Sequence, residues 1–481
     1  MAVACGSLFS AALTERGGVW VFEQGAPGVS GNVPLLLGGV GLVVGDEVSA
    51  LAPSLAALAR AAGEPVPTAS GAPHVFAGEA LAMVSAAGRS VACVADSGTV
   101  WVWGGNGTGQ LGLGHEDGQT APHRWPHAQC GGELVLMLAC GAEHLLALTQ
   151  TGLVWACGAG NHGQNGQPGE GNVLEPMRVG GLHDIAMVAA GTSHSAAVGR
   201  DGRAWTWGGD AHGQLGHRGD TRGRLASTPA GPWAQPPAWR FPTPRCLALQ
   251  AVVLVAAGHA HTAAVTEPGA LWVWGDGGNG RLGLGDTVAR PGPELVHGAW
   301  AGARVLAAAC GCDHTVVLTG DGAVWSMGSG LLGNLGHGDN ADRWTPARVP
   351  PHHFDGLEMV AVAAGNSISM AVSAEGFLFS WGSGALGHID PLETRTNVPV
   401  PVAASLARGA RIARSCALPR LHATALAMGL HARLGAGTVL ADVPSDIIQR
   451  IAKLCTQDPP GCCTHMRAGL RRLVALDARE S

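Results

Sequence analysis

The sequence predicts an all-β repeat fold, and three observations support that prediction. A unit of two short strands and a glycine-rich turn recurs along the 481 residues. Glycine accounts for 75 of them, well above the usual share of about 7%, yet the chain is 46% apolar and has no Gly-X-Y period. Only 13% of the residues are charged. Many tight turns in an apolar, weakly charged chain indicate a folded protein made of short strands.

The clearest copy of the unit occupies residues 190–216. Residues 195–198 are small and apolar, residues 200–202 (Arg-Asp-Gly) have turn chemistry, and residues 203–207 alternate with period two. This pattern predicts a β-hairpin. The segment Gly-Gln-Leu-Gly at 213–216 then predicts a tight turn, because glycine adopts positive φ without the strain that a Cβ would cause.

Seven copies of this unit follow one another at intervals close to 50 residues. The glycine before the second strand of each copy is Gly6, Gly88, Gly141, Gly191, Gly258, Gly311 or Gly365. Two longer intervals locate insertions at about 28–72 and 221–245, and leucines at helical spacing predict a short amphipathic helix over 48–62. The first copy is degenerate, with Phe22-Glu23 where later copies have Trp-Gly.

A proline followed by an apolar pair recurs between the copies, as at Pro176 and Pro346. Proline suits an edge strand because it cannot donate to a β-ladder. Each unit therefore supplies four strands with a proline-marked outermost strand. Seven such sheets predict a seven-bladed β-propeller, since ring closure removes the exposed edges of the array.

These motifs closely resemble the Regulator of Chromosome Condensation repeat family, whose units carry A-G-x-x-H-T, then hydrophobic-Trp-Gly, then G-Q-L-G. The resemblance runs from about Ala4 to Met428 and implies a propeller domain over residues 1–430. Members of the family commonly close the ring by pairing a C-terminal half-unit with an N-terminal one. Residues 410–428 look like an eighth first half, so the half that closes the ring stays open here.

Residues 431–481 have a different, helical character. Residues 443–454 place apolar side chains on one helical face, with Ile448, Ile451 and Leu454 as the expected contacts, and a second helix follows the Pro-Pro-Gly break at 459–461. The segment partly resembles an F-box, a small module that docks a ubiquitin-ligase adaptor. The alternative is a plain capping tail.

Charge and cysteine usage narrow the classes of partner. The net charge of −6 argues against nucleic acid as a main ligand, because phosphate binding needs clustered Lys and Arg. The 12 cysteines are scattered through strand-like positions such as Cys93, Cys140, Cys157 and Cys310, which is typical of a reducing compartment. No signal sequence or run of about 20 apolar residues is present. We expect a cytosolic or nuclear protein without a membrane partner.

The sequence indicates no catalytic, metal or cofactor site. The repeated His144, His194, His261 and His314 occupy one position of the unit, so we expect each to make a structural hydrogen bond from its turn to the backbone. We expect His115, His123, His127, His352 and His353 to lie in solvated loops, and Cys455, Cys462, Cys463 and His465 to bind no zinc. The repeated tryptophans are expected in the core between blades. No phosphate-binding G-x-x-x-x-G-K-[ST] is present.

The remaining candidate is the ring of loops that follow the anchor glycines, where loops vary more freely than strands. The expected partner-binding residues on this ring are Arg89, Glu143, Ser193, Asp313 and Ser367, with Ala260 at the equivalent place in the fifth unit. In family members that exchange nucleotide on a Ran-type GTPase, the resemblance implies acidic and histidine contacts from this ring, and Asp313 matches one acidic placement.

Two functions follow from this ring. The favoured one is a non-enzymatic protein-interaction propeller, a scaffold or an adaptor for ubiquitin ligation. The alternative is guanine-nucleotide exchange, which needs no cofactor. The exchange factors insert a wedge hairpin after a Trp-Gly and have a basic N-terminal arm, and this chain has neither. The ultraviolet-B photoreceptors of the family carry Trp after the anchor glycine, which no unit here does.

Overall fold

In the computed structural model, the described residues are 3–5, 9–13, 19–23, 35–37, 76, 79–126, 129–218, 240–298, 300, 302–384, 386 and 395–402. Contacts divide the chain into a unit of residues 1–425 and a second of residues 426–481, and all described residues lie in the first. The helix expected at 48–62, the half-unit at 410–428 and the whole tail at 431–481 lie outside the described residues.

The described chain consists of four-stranded sheets in which successive strands pair in order. The N-terminal sheet comprises β1 (Val3–Cys5), β2 (Phe9–Leu13), β3 (Val19–Glu23) and β4 (Leu35–Leu37). Blade 1 comprises β5 (Leu81–Ala87), β6 (Ser90–Ala95), β7 (Val100–Gly104) and β8 (Gln119–Arg124). Blade 2 comprises β9 (Val135–Cys140), β10 (His144–Thr149), β11 (Val154–Gly158) and β12 (Val173–Arg178). Blade 3 comprises β13 (Ile185–Ala190), β14 (His194–Gly199), β15 (Ala204–Gly209) and β16 (Arg240–Cys246).

Three further blades complete the series. Blade 4 comprises β17 (Val252–Ala257), β18 (His261–Thr266), β19 (Leu271–Gly275) and β20 (Arg290–Leu295). Blade 5 comprises β21 (Val305–Cys310), β22 (His314–Thr319), β23 (Val324–Gly328) and β24 (Arg343–Arg348). Blade 6 comprises β25 (Met359–Ala364), β26 (Ile368–Ser373), β27 (Leu378–Ser383) and β28 (Arg395–Pro401). The helical turns among the described residues are three 3₁₀ segments, at Gln129–Gly132, Gly278–Gly280 and Pro351–Phe354.

The hairpin predicted within residues 190–216 is confirmed. Strands β14 and β15 pair antiparallel, with His194 opposite Gly208 and Val198 opposite Ala204. The start of the second strand therefore lies beside the end of the third. The loop between the first and second strands of a blade, here called its inner loop, thus shares one face with the loop between the third and fourth strands, its outer loop. We call this side the upper face.

The first strands of the blades surround the axis, because β5, β9, β13, β17, β21 and β25 contact one another in sequence. The apolar core lies between blades and runs through blades 1 to 6. The inner strand of the N-terminal sheet contacts β5 and β25. Within the N-terminal sheet, Val3 and Ala12 pack with blade 6, while Ala11 and Val19 pack with blade 1. The N-terminal sheet thus lies between the first and last blades.

The prediction of a seven-bladed propeller is wrong, since the described residues form six full blades. The first unit makes a reduced sheet whose outer strand has three residues. This unit has Phe22-Glu23 in place of Trp-Gly and no Gly-Gln-Leu-Gly turn. In blades 1 to 5, the glycine turn packs against the outer strand of the next blade. The all-β propeller class itself is confirmed.

The expected proline-marked edge is confirmed, because Pro122, Pro176 and Pro346 lie in the outermost strands β8, β12 and β24. The insertion predicted at 221–245 ends earlier than expected. Residues 240–246 form β16, the outer strand of blade 3. Proline at positions 242 and 244 obscured this strand in the sequence, although an edge position tolerates both.

The tryptophans divide into two classes, which the sequence analysis did not distinguish. Trp207, Trp274 and Trp381 are fully buried between blades, as expected. Trp205, Trp272 and Trp325 are half-buried and pack against the same core from its edge. In blade 1, Trp101 and Trp103 are both buried.

Candidate interaction face

Backbone hydrogen bonds join the inner loops of blades 2 to 6 around the axis. The amide of Ala142 donates to the Gly191 carbonyl at 3.2 Å, and that of Thr192 donates to Gly258 at 3.1 Å. Two further bonds run from His259 to Gly311 at 3.2 Å and from Cys312 to Asn366 at 3.3 Å. Because these bonds use only main-chain atoms, they hold adjacent loops together whatever side chains the loops carry.

The anchor glycines are required by this close approach. A Cβ built on Gly191 would lie 2.4 Å from the Gly258 carbonyl oxygen, and one on Gly311 would lie 2.6 Å from the Gly365 oxygen. Contacts under 3 Å force the neighbouring backbone to move. The glycine repeat that defined the units is therefore the point where one blade touches the next.

Below this ring, each repeated histidine bonds to a hydroxyl of the following blade. The Nε2 atoms of the histidines lie 2.8–2.9 Å from these hydroxyl oxygens, and the hydroxyls donate onward at 2.7–2.8 Å to a backbone carbonyl of the histidine's own blade. The pairs are His144 with Ser195, His194 with Thr262, His261 with Thr315 and His314 with Ser369. The expected turn-to-backbone bond is thus wrong in its partner, although the structural role is as predicted.

The direction of these bonds assigns the histidine tautomer. Each hydroxyl has one proton and donates it to a carbonyl, so it accepts a bond from Nε2–H. Nδ1 then has no proton, and no hydrogen-bond partner for Nδ1 is found in any of the four rings. Burial lowers the pKa of His144 and of His194 to about 3 and that of His314 to about 4. These rings are therefore neutral at physiological pH.

The accepting carbonyls belong to the second residue of the glycine turn. They also accept hydrogen bonds from the indole N–H groups of the buried tryptophans. Trp207 Nε1 donates to Gln164 at 3.0 Å, and Trp274 Nε1 donates to Gln214 at 2.8 Å. Trp381 Nε1 donates to Asn334 at 3.0 Å. Each such carbonyl thereby receives a hydroxyl and an indole from the next blade. The three sequence motifs of one unit converge on a single contact between blades.

All five predicted interaction residues lie in inner loops of the upper face. Arg89 and Glu143 are exposed, whereas Ser193, Asp313 and Ser367 are half-buried. Their backbones also brace the outer loops, since the carbonyls of Glu143, Ser193, Asp313 and Ser367 accept the amides of Ala159, Gly209, Ser329 and Ser383. Ala260 at the equivalent place is buried. The loops thus bring these positions onto one ring.

Asp313 is not a free carboxylate, because the guanidinium of Arg281 in blade 4 holds it. Arg281 Nη2 lies 2.7 Å from Asp313 Oδ1, and Nη1 lies 3.2 Å from Asp276 Oδ2. Nε and Nη1 also donate to the carbonyls of Gly278 and Cys312 at 2.9 and 3.1 Å. The Arg281 side chain is only 6% exposed, against 44% for Asp313.

Sequence analysis missed Arg281, although a signal was present. The fifth unit has Gly-Arg-Leu-Gly, whereas two others have Gly-Gln-Leu-Gly and one has Gly-Gln-Asn-Gly. In those units, Gln110, Gln164 and Gln214 accept amides of their own turns through Oε1 at 2.8–3.0 Å. Arginine has no acceptor, so it extends to the carboxylates instead. An arginine at a position where three other units have glutamine was the sequence signal for this contact between blades.

The buried thiols and the repeated histidines of the described residues are in structural environments, not reactive ones. Burial raises the pKa of Cys140 and of Cys310 to about 12, so these thiols stay protonated. The four repeated histidines bond to hydroxyls and are buried. Among the described residues, no group of three His, Cys, Asp or Glu side chains is placed to hold a metal ion. His115 lies in a loop, as expected, but His123 lies in the edge strand β8 and His352 and His353 lie in the 3₁₀ segment, so the loop expectation is corrected for these three. His127 and the cluster at 455–465 lie outside the described residues.

Comparison with known proteins decides the family. The family model for the Regulator of chromosome condensation (RCC1) repeat matches residues 97–148, 151–198, 201–265, 268–318 and 321–372, which together exceed half of the chain. The chain belongs to the RCC1 repeat family. A second RCC1 repeat model matches 185–214 and 252–281. The matched segments begin near the third strand of one blade and end in the second strand of the next, so each RCC1 repeat spans two blades.

Relatives of this RCC1 repeat chain include proteins of different activities. Ultraviolet-B receptor UVR8 of Arabidopsis thaliana is 32% identical over 316 residues, which are 64% of this chain and 66% of the receptor. Human E3 ubiquitin-protein ligase HERC2 is 34% identical over 297 residues, 61% of this chain but 6% of the ligase. Human Protein RCC2 is 36% identical over 149 residues, 30% of this chain and 28% of that protein. The chain therefore spans at most about two thirds of the length of these RCC1 repeat relatives.

Solved structures share the RCC1 repeat fold. Human WBSCR16 superposes with a TM-score of 0.57 at 22% identity, covering 77% of this chain and 86% of that one. Prp20p of Saccharomyces cerevisiae gives a TM-score of 0.57 at 21% identity, covering 77% and 81%. These likenesses establish the fold. Within the described part of the chain, no helix is both long enough and apolar enough to cross a membrane.

Proposed function

We propose that this chain is a protein-interaction propeller that binds partners on its upper face and makes or breaks no covalent bond. The observation that carries the proposal is a contrast within the inner loops. The anchor glycines recur in all six blades and the buried histidines in blades 2 to 5, whereas exposed or half-buried side chains beside them differ from blade to blade. Those exposed residues are Arg89, Glu143, His259, Asn366 and the half-buried Thr192 and Asp313. A rigid ring with six different surface residues suits recognition of an irregular protein surface.

The charge of this face supports a protein partner over a nucleic acid. Arg89 and Glu143 have opposite signs, and the guanidinium of Arg281 is buried between two carboxylates. Nucleic acid binding requires clustered exposed cations, which these inner loops do not supply. Mixed charge fixes orientation and partner choice in protein complexes. Protein partners are therefore the class that this ring fits.

The relatives support the same class of function. HERC2 is named an E3 ubiquitin-protein ligase, and the Prp20p structure is described together with its binding to Gsp1p and histones. Those activities belong to those proteins. They show that RCC1 repeat propellers occur in proteins that act on or bind other proteins. We propose the same for this chain, in the cytosol or nucleus, where buried free thiols such as Cys93 and Cys310 stay reduced.

Charge reversal on the ring tests the proposal. Arg89→Glu with Glu143→Arg should remove partners that bind the upper face without unfolding the chain, because both side chains are exposed. Glu175→Arg with Arg178→Glu, exposed on β12, is the matched control. The measurement is quantitative crosslinking mass spectrometry on cells expressing each full chain. An identical set of crosslinked partners for the wild type and the ring variant would contradict the proposal.

Guanine-nucleotide exchange is the second candidate, and Asp313 is the residue that suggested it. Exchange requires a group that competes for the cations holding the nucleotide phosphates. The Asp313 carboxylate lies 2.7 Å from a buried guanidinium, so its charge is already paired. We therefore expect weak or no release of a fluorescent guanine nucleotide from a Ran-type GTPase at micromolar propeller. Acceleration by orders of magnitude that Asp313→Ala abolishes would make this chain an exchange factor.

An adaptor role through residues 431–481 is a further part of the proposal. The expected contacts Ile448, Ile451 and Leu454 lie outside the described residues, so this part rests on the sequence pattern. Full-length chain should co-purify a cullin-ligase adaptor, and Ile448→Asp should abolish that recovery. Lys453→Gln, a polar change in the same segment, is the control. Equal recovery by the wild type and Ile448→Asp would leave the tail without an adaptor function.

A further inference from the structure

The tip of the blade 5 outer loop exposes two leucines where the other blades have small or polar residues. Leu331 and Leu332 occupy the two positions before the second glycine of the turn. The equivalent pairs are Gly107-Thr108, Asn161-His162, Ala211-His212 and Gly278-Asn279. Leu331 is 67% exposed, so its side chain contributes little to the core. The fold itself does not require leucine at this tip, because four other blades form the turn without it.

A tryptophan at the start of β24 lies beside this tip and is also exposed. Trp344 packs its Cα and ring edge against Gly280 of the blade 4 turn, where a Cβ would meet the Trp344 Cδ1 at 2.6 Å. The same place is taken by Leu174, Pro242, Pro291 and Asn397 in blades 2, 3, 4 and 6, each facing the glycine turn of the preceding blade. Trp344 is 52% exposed, unlike the buried tryptophans between blades.

A fourth exposed apolar residue, Val288, lies in the outer loop of blade 4 and is 60% exposed. The turn 277–280 has Val288 on one side, since a Cβ on Gly277 would meet the Val288 oxygen at 2.2 Å, and Trp344 on the other. The leucine turn 330–333 rests in the same way on Ala341, three residues before Trp344. We call Val288, Leu331, Leu332 and Trp344 the apolar band. Grouped exposed apolar residues are typical of interaction sites.

Carboxylates border the apolar band and lie further out than the arginines that pair with them. Asp339 is 51% exposed and its partner Arg343 is 27% exposed, with 2.7 Å between Oδ2 and Nη2. Asp286 and Arg290 show the same order, at 43% and 21% exposure, with 2.7 Å between Oδ2 and Nη2. Asp342 is exposed as well, and Arg395, which donates to the Leu331 carbonyl, is the exposed cation of the border. The border therefore presents mainly negative charge to a partner.

We propose that the apolar band binds a segment of a partner protein that carries apolar side chains flanked by Lys or Arg. Trp344 provides the aromatic anchor that commonly dominates binding energy, and the outward carboxylates select positive charge. This inference rests on the proposed interaction function and specifies the chemistry of one partner. It places that contact on the outer loops of blades 4 and 5, outside the ring of inner loops.

Selection of peptides on the intact protein tests the inference. A random dodecapeptide library displayed on phage is selected against the full chain, and the enriched peptides are titrated by fluorescence polarisation. The band variant combines Leu331→Gly, Leu332→Asn and Trp344→Asn, which copy Gly278, Asn279 and Asn397 of the other blades and so preserve the fold. Met177→Gln, at an equally exposed methionine on β12, is the matched control.

We expect the enriched peptides to combine Lys or Arg with Leu, Phe or Trp. Their Kd should rise at least tenfold for the band variant and stay unchanged for Met177→Gln. Asp286→Asn with Asp339→Asn should weaken binding at least threefold and reduce its dependence on salt. Acidic peptides, peptides that bind the band variant equally well, or failure to enrich any peptide would overturn the inference. Peptides that lose binding only to the Arg89→Glu, Glu143→Arg variant would overturn it while supporting the proposed function.

Discussion

Two neighbouring interfaces between blades make the same contact with different side chains. Between blades 3 and 4, the Gln214 carbonyl accepts the Thr262 hydroxyl at 2.7 Å and the Trp274 indole at 2.8 Å. Between blades 4 and 5, the Arg281 carbonyl accepts the Thr315 hydroxyl at 2.7 Å, but Met327 replaces the tryptophan. The Arg281 side chain adds ion pairs to Asp276 and Asp313.

The difference shows which part of the contact these two interfaces share. Both interfaces keep the histidine, the hydroxyl and the carbonyl, whereas the indole and the glutamine vary. A thioether fills the space of the indole but donates no hydrogen bond. The ion pairs at the half-exposed rim supply an interaction that depends on salt, which the neutral interface does not have. The predictions below separate the shared part from the variable part.

Acid should weaken both interfaces through the shared histidines, and this is the largest expected effect. Burial lowers the pKa of His144 and His194 to about 3, that of His314 to about 4, and that of His261 well below its usual value. Below pH 6.5, the unfolded chain binds protons that the folded rings exclude, so stability falls as pH decreases toward 4. Each histidine contributes on the order of 1 kcal/mol per pH unit.

Chemical denaturation at intervals from pH 7.5 to 5 measures this slope. His194→Gln should lower the slope by about one proton, whereas His183→Gln, at an exposed histidine, should leave it unchanged. A free energy of unfolding that stays constant from pH 6.5 to 5 would show that the histidines titrate normally in the folded chain.

Truncation of the indole tests the neutral interface. Trp274 is fully buried and donates to Gln214, so Trp274→Ala should cost about 3–5 kcal/mol of unfolding free energy. Trp274→Met, which copies Met327, should cost less because it refills most of the cavity. Urea denaturation measures both, with Trp344→Ala as the exposed control. A loss below about 1 kcal/mol for Trp274→Ala would place this indole outside the core.

Replacement of the guanidinium tests the charged interface. Arg281→Gln restores the residue of three other blades and should cost about 1–3 kcal/mol, since it leaves Asp276 and Asp313 without their cation. Raising NaCl from 0.05 to 0.5 M should reduce wild-type stability more than that of Arg281→Gln. Gln214→Asn, which copies Asn334, is the neutral control. Equal salt dependence in all three proteins would exclude a stabilising role for the ion pairs.

The smallest expected effect concerns Asp210 in the blade 3 outer loop. Burial raises its pKa to about 6, while its Oδ1 accepts the Leu215 amide at 2.9 Å. The folded chain therefore holds a proton that the unfolded chain releases between about pH 4 and 6, so Asp210 reduces stability as pH rises through that window. Asp210→Asn should stabilise the protein at pH 7 by about 1 kcal/mol.

Asn106 provides the precedent for that substitution, because its Oδ1 accepts the Leu111 amide at 2.8 Å in blade 1. Thermal unfolding at pH 7 and pH 4.5 measures the effect. Asp201→Asn, at an exposed turn, is the control. A stabilisation that is the same at both pH values would show that the Asp210 charge is not its source.

Sequence reasoning predicted the repeating part of this molecule because the signals for it lie close together in the sequence. Strand periodicity, turn glycines and edge prolines are all read within one unit, and they predicted the blades, the hairpin and the structural role of the histidines. The hydroxyl partners were missed because His144 and Ser195 are 51 residues apart and meet only when blades stack. The pairing of Arg281 with Asp313 was missed for the same reason.

The number of full blades was also beyond local reasoning. The first unit has recognisable strands, but its outer strand is short and its Trp-Gly motif is absent. A degenerate unit and a full one look alike when only their first two strands are compared. The apolar band was missed because single exposed leucines are common in any sequence, and only the comparison of equivalent loop positions shows that this tip is unusual.

The histidine contact also has a consequence for how such a chain gains units by duplication. Blades 3, 4 and 5 each offer a histidine to the next blade and a hydroxyl to the preceding one, so each of these copies carries both halves of one head-to-tail connector. A duplicated unit would fit its neighbours at once, without new complementary substitutions. The histidine–hydroxyl connector does not limit the number of copies. That limit must come from closure of the propeller ring. A shortened unit beside the first and last blades is where such a limit would act.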